Sequence, residues 1–256
     1  MKRLGILCLF FAGVFQYLIA AVPSRTIALS GKTASKGVLR ERNSSRGTPD
    51  TVQNLAAWFR ADDTPSSGAI SSWPDRSPNG HTMTQVITSS QPVGATVLGE
   101  RCVTFDSNDV LVTNSFSLSH PYTIFLVAGN TGGTGAIFID GSTANQSRIA
   151  QNCGVTDCCI NAGASLNISN AGFGAGGIQK SIYALFNGAS SAGEINEDGQ
   201  RTGNAGSSTP SVLRLGGVSG ATTSMSIWEL IVYTGSLSVS DRIKIQDYLQ
   251  ARYQHY

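Results

Sequence analysis

The chain predicts an all-β fold, two antiparallel sheets packed as a sandwich, with one helix at the C-terminal end. Three observations carry this. Charged residues make up only 13% of the 256 positions while glycine takes 29, a composition suited to strands and turns. From Leu55 onward, short apolar runs alternate with clusters of Gly, Ser, Thr and Asn. Only the last stretch, from about residue 237, repeats apolar residues at helical spacing.

Taken from the N-terminus, Lys2 and Arg3 precede the apolar segment LGILCLFFAGV, and the residues at positions 19–21 suit cleavage. Residues 1–22 are therefore expected to be a secretory signal peptide. The alternative is an uncleaved membrane anchor, since the apolar run is interrupted only by Gln16 and is just long enough to cross a bilayer. A transit peptide fits less well, because the leading segment is apolar rather than amphipathic. Eight of the 18 Lys and Arg residues but only two of the 16 Asp and Glu residues lie within the first 50 positions, leaving ten basic and fourteen acidic residues in the remainder. Residues 23–50 are thus a basic stretch without helical or strand periodicity, expected to be a flexible linker. The mildly acidic body has no basic stripe of the kind that reads nucleic acid. Contact with a membrane is expected only through the N-terminal segment.

Residues 51–256 carry the predicted sandwich. In YTIFLVA, Tyr122, Ile124 and Leu126 share one face while Phe125 and Val127 share the other, the pattern of a central strand buried on both sides. SIWELIVY reads the same way. LAAWFRA, VTFD, VLVTN, AIFIDG, SLNIS, SIYALFNG and SVLRLGG supply the remaining strands. In INEDGQR, Asp198-Gly199 is expected to form a tight hairpin turn. In the closing segment, Ser238 is a candidate N-cap with Asp241 in the capping-box position. Ile245, Tyr248 and Leu249 then form a short apolar stripe, which would lie on the sandwich or across one end of it.

Apart from Cys8 in the targeting segment, the cysteines are Cys102, Cys153, Cys158 and Cys159, and four cysteines permit three pairings. A bond between the neighbours Cys158 and Cys159 would close a strained ring. The expectation is that Cys153 pairs with one of them and Cys102 with the other. A four-thiolate zinc site is the alternative, but the paired CxxC knuckles it normally uses are missing. Sequons at Asn43, Asn145 and Asn167 permit glycosylation in a host that glycosylates exported proteins.

Three stretches in order carry a family resemblance: LAAWFRADDTPSSGAISSWPDRSPNGHTMTQ, then VTFDSNDVLVTNSFSLSHPYTIFLV, then IWELIVYTGSLSVSDRIKIQDYLQARY. The chain resembles the concanavalin A-like lectin/glucanase superfamily, and within it the laminin-G-like jelly-roll modules. Trp58 to Asp62, Trp73 to Gly80 and Glu229 to Tyr233 match the opening strand, the W-x-D-x-S-x-N-G turn and the closing strand of those modules. Pro78 departs from the pattern, and the stretch from Cys153 to Cys159 has no counterpart in it. The resemblance implies a jelly-roll sandwich over residues 51–256. For function it implies glycan or protein-surface binding, glucanase activity in some members, and Ca²⁺ on acidic loops in others.

The turn SSWPDRSPNGHTMTQ offers two readings. In one it is a packed turn, with Asp75 accepting backbone N–H bonds, Asn79-Gly80 tolerating positive φ and Arg76 bridging to a carboxylate. In the other Trp73 is an exposed platform for a sugar, with Asp75, Arg76 and His81 bonding its hydroxyls. Glu229 lies inside an apolar strand, on the face of Ile227 and Ile231 in strict alternation, and needs a partner there; Arg76 or Arg60 is the expected one. Glu229, Trp58 and Trp228 are accordingly read as structural. Glycoside hydrolysis needs two carboxyls roughly 5–9.5 Å apart, yet WELIVY holds a single acid, and Glu194, Glu197 and Asp198 sit at a hairpin. His81, His120 and His255 form no metal-binding pair or nucleophile motif. Calcium, if bound, would fall on Asp106, Asn108 and Asp109, or on Asp62 and Asp63. The chain is therefore expected to be an exported, non-catalytic module that binds glycans or extracellular protein surfaces. The alternatives are a self-assembling structural subunit of an extracellular or virion-surface assembly and, third, a glycoside hydrolase.

Overall fold

The computed structural model describes residues 47–106, 108–130, 135–151, 158–169, 178–217 and 224–253. The expected signal or anchor segment, and nearly all of the expected linker, lie outside these residues. Two antiparallel sheets face each other. The first runs Arg201–Gly203, Ser191–Ile195, Lys180–Phe186, Tyr122–Asn130, Met225–Thr234, Glu100–Phe105, Val93–Val97 and Gly68–Ala69. The second runs Ser165–Ser169, Cys158–Ala162, Gln146–Gln151, Ile137–Asp140, Arg214–Leu215, Leu111–Thr113, Met83–Thr84 and Ser72–Trp73. The expected all-β sandwich is thus the observed architecture.

The ninth strand of the first sheet, Leu55–Arg60, pairs with the same edge of Met225–Thr234 that Glu100–Phe105 uses. The long strand is shared: Met225–Ile227 pairs with Phe105–Val103, and Glu229–Tyr233 with the Leu55–Arg60 strand. At the changeover, between Ile227 and Glu229, the register against the Tyr122–Asn130 strand shifts. Such a bulge turns two successive side chains to one face. Ile227 enters the core between the sheets, together with Met225, Leu230 and Val232, whereas Trp228, Ile231 and Tyr233 pack on the opposite face. Strict alternation places Glu229 with Ile227; the bulge moves it to the face of Trp228 and Ile231.

The helix Val239–Arg252 starts as expected, with Ser238 Oγ accepting from the Asp241 amide at 3.1 Å. It lies on the outer face of the first sheet, where Ile245, Leu249 and Tyr253 join Trp58, Phe125, Trp228, Ile231 and Tyr233 in one buried cluster. Glu194 reaches it from Ser191–Ile195, accepting from Gln246 Nε2 and pairing with Arg242 at 3.6 Å. The second sheet's outer face carries no helix among the described residues.

Two expectations need correction. The hairpin after Ser191–Ile195 turns on Asn196 and Glu197, both at positive φ, with the Asp198 amide bonded to Ile195 O at 3.0 Å. Asp198-Gly199 follows the turn instead of forming its centre. Cys102 is a buried thiol in the helix-side cluster, while Cys158 belongs to the core between the sheets. A sheet-to-sheet spacing is about 10 Å, beyond the roughly 7 Å a disulfide spans between Cα atoms, so Cys102 is no partner for the Cys158–Cys159 pair. Burial pushes the Cys102 thiol pKa up, against the opposing hydrogen bond from Thr104. The Cys153 end of the other expected bond lies outside the described residues.

Candidate functional site

The turn after Ser72–Trp73 is a packing device. Asp75 uses both carboxylate oxygens: Oδ1 accepts from the amides of Trp58 at 2.9 Å and Ser77 at 2.8 Å, and Oδ2 from Ser77 Oγ at 2.7 Å and the His81 amide at 2.8 Å. Trp73 is fully buried, donates Nε1–H to Arg60 O at 2.9 Å, and meets Phe59 edge-on at 6.1 Å. A ring with no accessible face cannot stack on a sugar, so the platform reading of Trp73 is overturned. Asp75 likewise has its acceptors occupied by the turn. Arg76 forks onto Asp63, with Nη2 at 2.8 Å from Oδ1, and lies 5.2 Å from the centroid of Trp58.

Glu229 is the hub beside that turn. It is fully buried, and its Oε1 accepts from Trp58 Nε1 at 2.6 Å and Tyr248 Oη at 2.8 Å. Its Oε2 accepts from Tyr253 Oη at 2.7 Å and lies 3.5 Å from Arg252 Nε. The partner is therefore Arg252 with two helix tyrosines and an indole, not the expected Arg76 or Arg60. Arg60 and Arg252 converge instead on Asp62. Charge balances locally, with Arg60, Arg76 and Arg252 facing Asp62, Asp63 and Glu229. The three motifs that match the family pattern meet here: the Trp58 strand, the Asp75 turn and the Glu229 strand, which leads into the helix.

Burial raises the Glu229 pKa above 4.5, and the hydrogen bonds from Tyr253, Trp58 and Tyr248 only partly offset it. At Asp62, burial is outweighed by Arg252 and Arg60, which hold its pKa below the ordinary value. The signs are opposite. A raised carboxyl keeps its proton in the folded state after the unfolded chain has lost it, so folding stability falls as pH rises across that window. The unfolding free energy of the wild type minus that of Glu229→Gln should be level below about pH 4.5 and decline as pH rises through the folded value. Urea titrations from pH 4 to 8 measure it; a difference that grows with pH would contradict the raised pKa.

His81 leads to an open groove. A cavity of about 310 Å³ lies where strand ends of the two sheets meet, lined by Asn54, Asn79, His81, Phe116, Ser117 and Thr234 among others. Asn79 Nδ2 donates to Leu55 O and Ala56 O, both at 2.9 Å, which fixes its amide plane. The His81 ring lies 4.2 Å from Phe116, tilted by 38°, with Nδ1 at 3.3 Å from Asn114 Oδ1. Asn54, at positive φ, accepts the Thr234 amide on its carbonyl at 3.0 Å and also borders a second polar cavity of about 320 Å³ under the start of the helix. Of the four predicted ligand residues, only His81 lines this groove. Asn54, Phe116 and Ser117 were missed; the Asn54 turn and the NSFS stretch carry no motif.

Asp106, Asn108 and Asp109 form a turn. Asp109 Oδ2 accepts the Asp106 amide at 2.9 Å, and Asp106 Oδ1 accepts the Asn108 amide at 3.1 Å. Burial, with the neighbouring Asp106 charge, raises the Asp109 pKa. No group of three or more His, Cys, Asp or Glu residues is arranged to hold a metal among the described residues. Nor is any helix among them long and apolar enough to cross a membrane.

No family model matches the chain, and no curated protein matches it either. Solved structures do. Domain 4 of AbnA, a GH43 extracellular arabinanase from Geobacillus stearothermophilus solved with arabinotriose, aligns with a TM-score of 0.56 at 14% identity, over 76% of this chain and 98% of that one. The binding domain of Paraclostridial Mosquitocidal Protein 1 aligns with a TM-score of 0.56 at 12% identity, over 75% of this chain. The botulinum neurotoxin serotype G binding domain aligns with a TM-score of 0.56 at 9% identity, over 77%. This chain spans about half, 52%, of each toxin structure. At such identities the likeness is one of fold alone, a two-sheet β-sandwich.

Proposed function

We propose that this chain is a non-catalytic binding module, of jelly-roll type, acting outside the cytoplasm on glycans or glycan-bearing surfaces, with the His81 groove as its binding site. The observation that carries the proposal is the groove's lining: the Asn79 amide held by two backbone carbonyls, with a second amide and two hydroxyls, beside an imidazole packed on a phenyl ring and with no carboxylate among the lining residues. Few, oriented polar groups next to apolar ring surface are what a polar ligand site requires; a pyranose offers the matching polar rim and C–H face. A further support is that the first of the aligned structures was solved with a bound arabinotriose. Against hydrolysis, Glu229 and Glu194 are both committed to holding the helix. The assembly reading draws on one observation, the exposed apolar pair Val86 and Ile87, which follows Gln85 where its amide bonds Ser71 O beside the Ser72–Trp73 edge strand, a type of edge that recruits partners.

A glycan array probed with the full chain tests the binding reading. His81→Ala and Ser117→Trp, which removes and blocks groove surface respectively, should each weaken binding about tenfold or more, a change of about 1.4 kcal/mol. Binding left intact by both variants sinks the groove assignment. A parallel chelator arm reads calcium dependence, which would fall on the Asp106–Asp109 turn.

A further inference from the structure

We infer that the His81 groove selects its ligand by hydrogen-bond donors. It takes a neutral saccharide whose hydroxyls donate to two bare acceptors, Asn79 Oδ1 and His81 Nε2, and it rejects uronic acids and sulfated sugars. Asn114, outside the lining, is the positioning residue that sets the imidazole tautomer. The inference rests on the groove reading above and names its substrate class.

The polarity of each group follows from its neighbours. A side-chain amide has two N–H hydrogens and one acceptor oxygen. Asn79 Nδ2 donates to two main-chain carbonyls, Leu55 O and Ala56 O, so its donors are spent and Oδ1 is what remains for a ligand. Asn114 Nδ2 donates to Gly80 O at 3.4 Å, which leaves Asn114 Oδ1 facing His81 Nδ1 at 3.3 Å. A carbonyl oxygen cannot donate, so the proton of that contact belongs to the histidine. A neutral imidazole carries one N–H; with it on Nδ1, Nε2 is a bare lone pair. Asn79 is exposed and His81 half-buried, and both line the groove. Neither acceptor is a buried atom without a partner, so a ligand hydroxyl can reach them.

The rest of the lining does not reverse this polarity. The hydroxyls of Ser117 and Thr234 and the amide of Asn54 can each donate or accept. No Lys or Arg is among the lining residues, and Lys244, in the adjoining cavity, is paired with Asp241 at 2.7 Å. An ionised carboxylate or sulfate only accepts, so here it would set lone pair against lone pair with no counter-charge. A sugar hydroxyl donates to either bare acceptor and still accepts from Ser117 or Thr234. Sites built this way reject a ligand that lacks the matching group, because polar atoms are left unpaired.

Ring-nitrogen NMR of the full chain tests the tautomer without any ligand. At pH 8 the His81 signals, assigned by their loss in His81→Ala, should show a protonated Nδ1 and a bare Nε2. His120 is the internal contrast: its Nε2 lies 3.1 Å from Ser208 O, so the same logic puts its proton on Nε2. On a glycan array, neutral members should bind, and their uronate and sulfated counterparts should bind about tenfold weaker or worse. Asn114→Ala should move His81 toward the Nε2–H form and weaken neutral-glycan binding about threefold or more. Asn114→Asp, which keeps an acceptor for Nδ1–H, should restore both. If no glycan binds, the groove reading fails and takes this inference with it. If glycans bind while His81 carries its proton on Nε2, or if acidic members bind as well as their neutral counterparts, the groove reading stands and this inference is overturned.

Discussion

Replacing Glu229 by alanine is expected to lower the unfolding free energy by about 3–5 kcal/mol, the range for breaking a buried charged pair. Three hydroxyl and indole donors, Tyr248, Tyr253 and Trp58, then lose their common acceptor. Arg252 loses one of its two acidic neighbours and keeps Asp62. Because both tyrosines belong to the C-terminal segment, the loss should fall first on the helix. Hydrogen exchange should accelerate over Val239–Arg252 before it does in the Tyr122–Asn130 strand. Guanidinium denaturation with fluorescence detection measures the total; a change below about 1 kcal/mol would mean the carboxylate is dispensable to the fold.

Trp73→Ala is expected to cost about 3–5 kcal/mol as well, for the cavity it leaves and for the lost bond to Arg60 O. Ligand affinity per folded molecule should be unchanged, because the ring lies outside the groove lining. The decisive pair of measurements is denaturation and binding on the same variant. Full stability with lost binding would restore Trp73 as a contact surface.

Fold and site were readable in the sequence to different depths. Strands buried on both faces announce themselves by continuous apolar runs, and Tyr122–Asn130 and Met225–Thr234 fall where they were expected. Gln146–Gln151 and Ser191–Ile195 were missed because their residues are polar or small. In the latter, glycine is required by contact: a Cβ on Gly193 would lie 2.5 Å from Ile168 Cγ2, a demand set by a strand elsewhere in the sequence. The orientation of Glu229 was beyond reach, since a bulge in an all-apolar strand leaves no mark in its pattern. Trp73 was ambiguous for a similar reason, because the core that buries it, Phe59 included, is built from other strands.

On the ribosome, the sandwich cannot close in the order in which it is made. The Leu55–Arg60 strand emerges first among the main strands and waits for the Met225–Thr234 strand, with Trp58 and Glu229 separated by 171 positions. Until that late strand arrives, the Tyr122–Asn130 strand has only one of its two neighbours, and its other edge is an open, apolar template. Contacts this distant make closure slow, and an unpaired apolar edge in a waiting chain invites aggregation. The exposed edge of the Tyr122–Asn130 strand is therefore the segment most in need of shielding until Thr234 has been added.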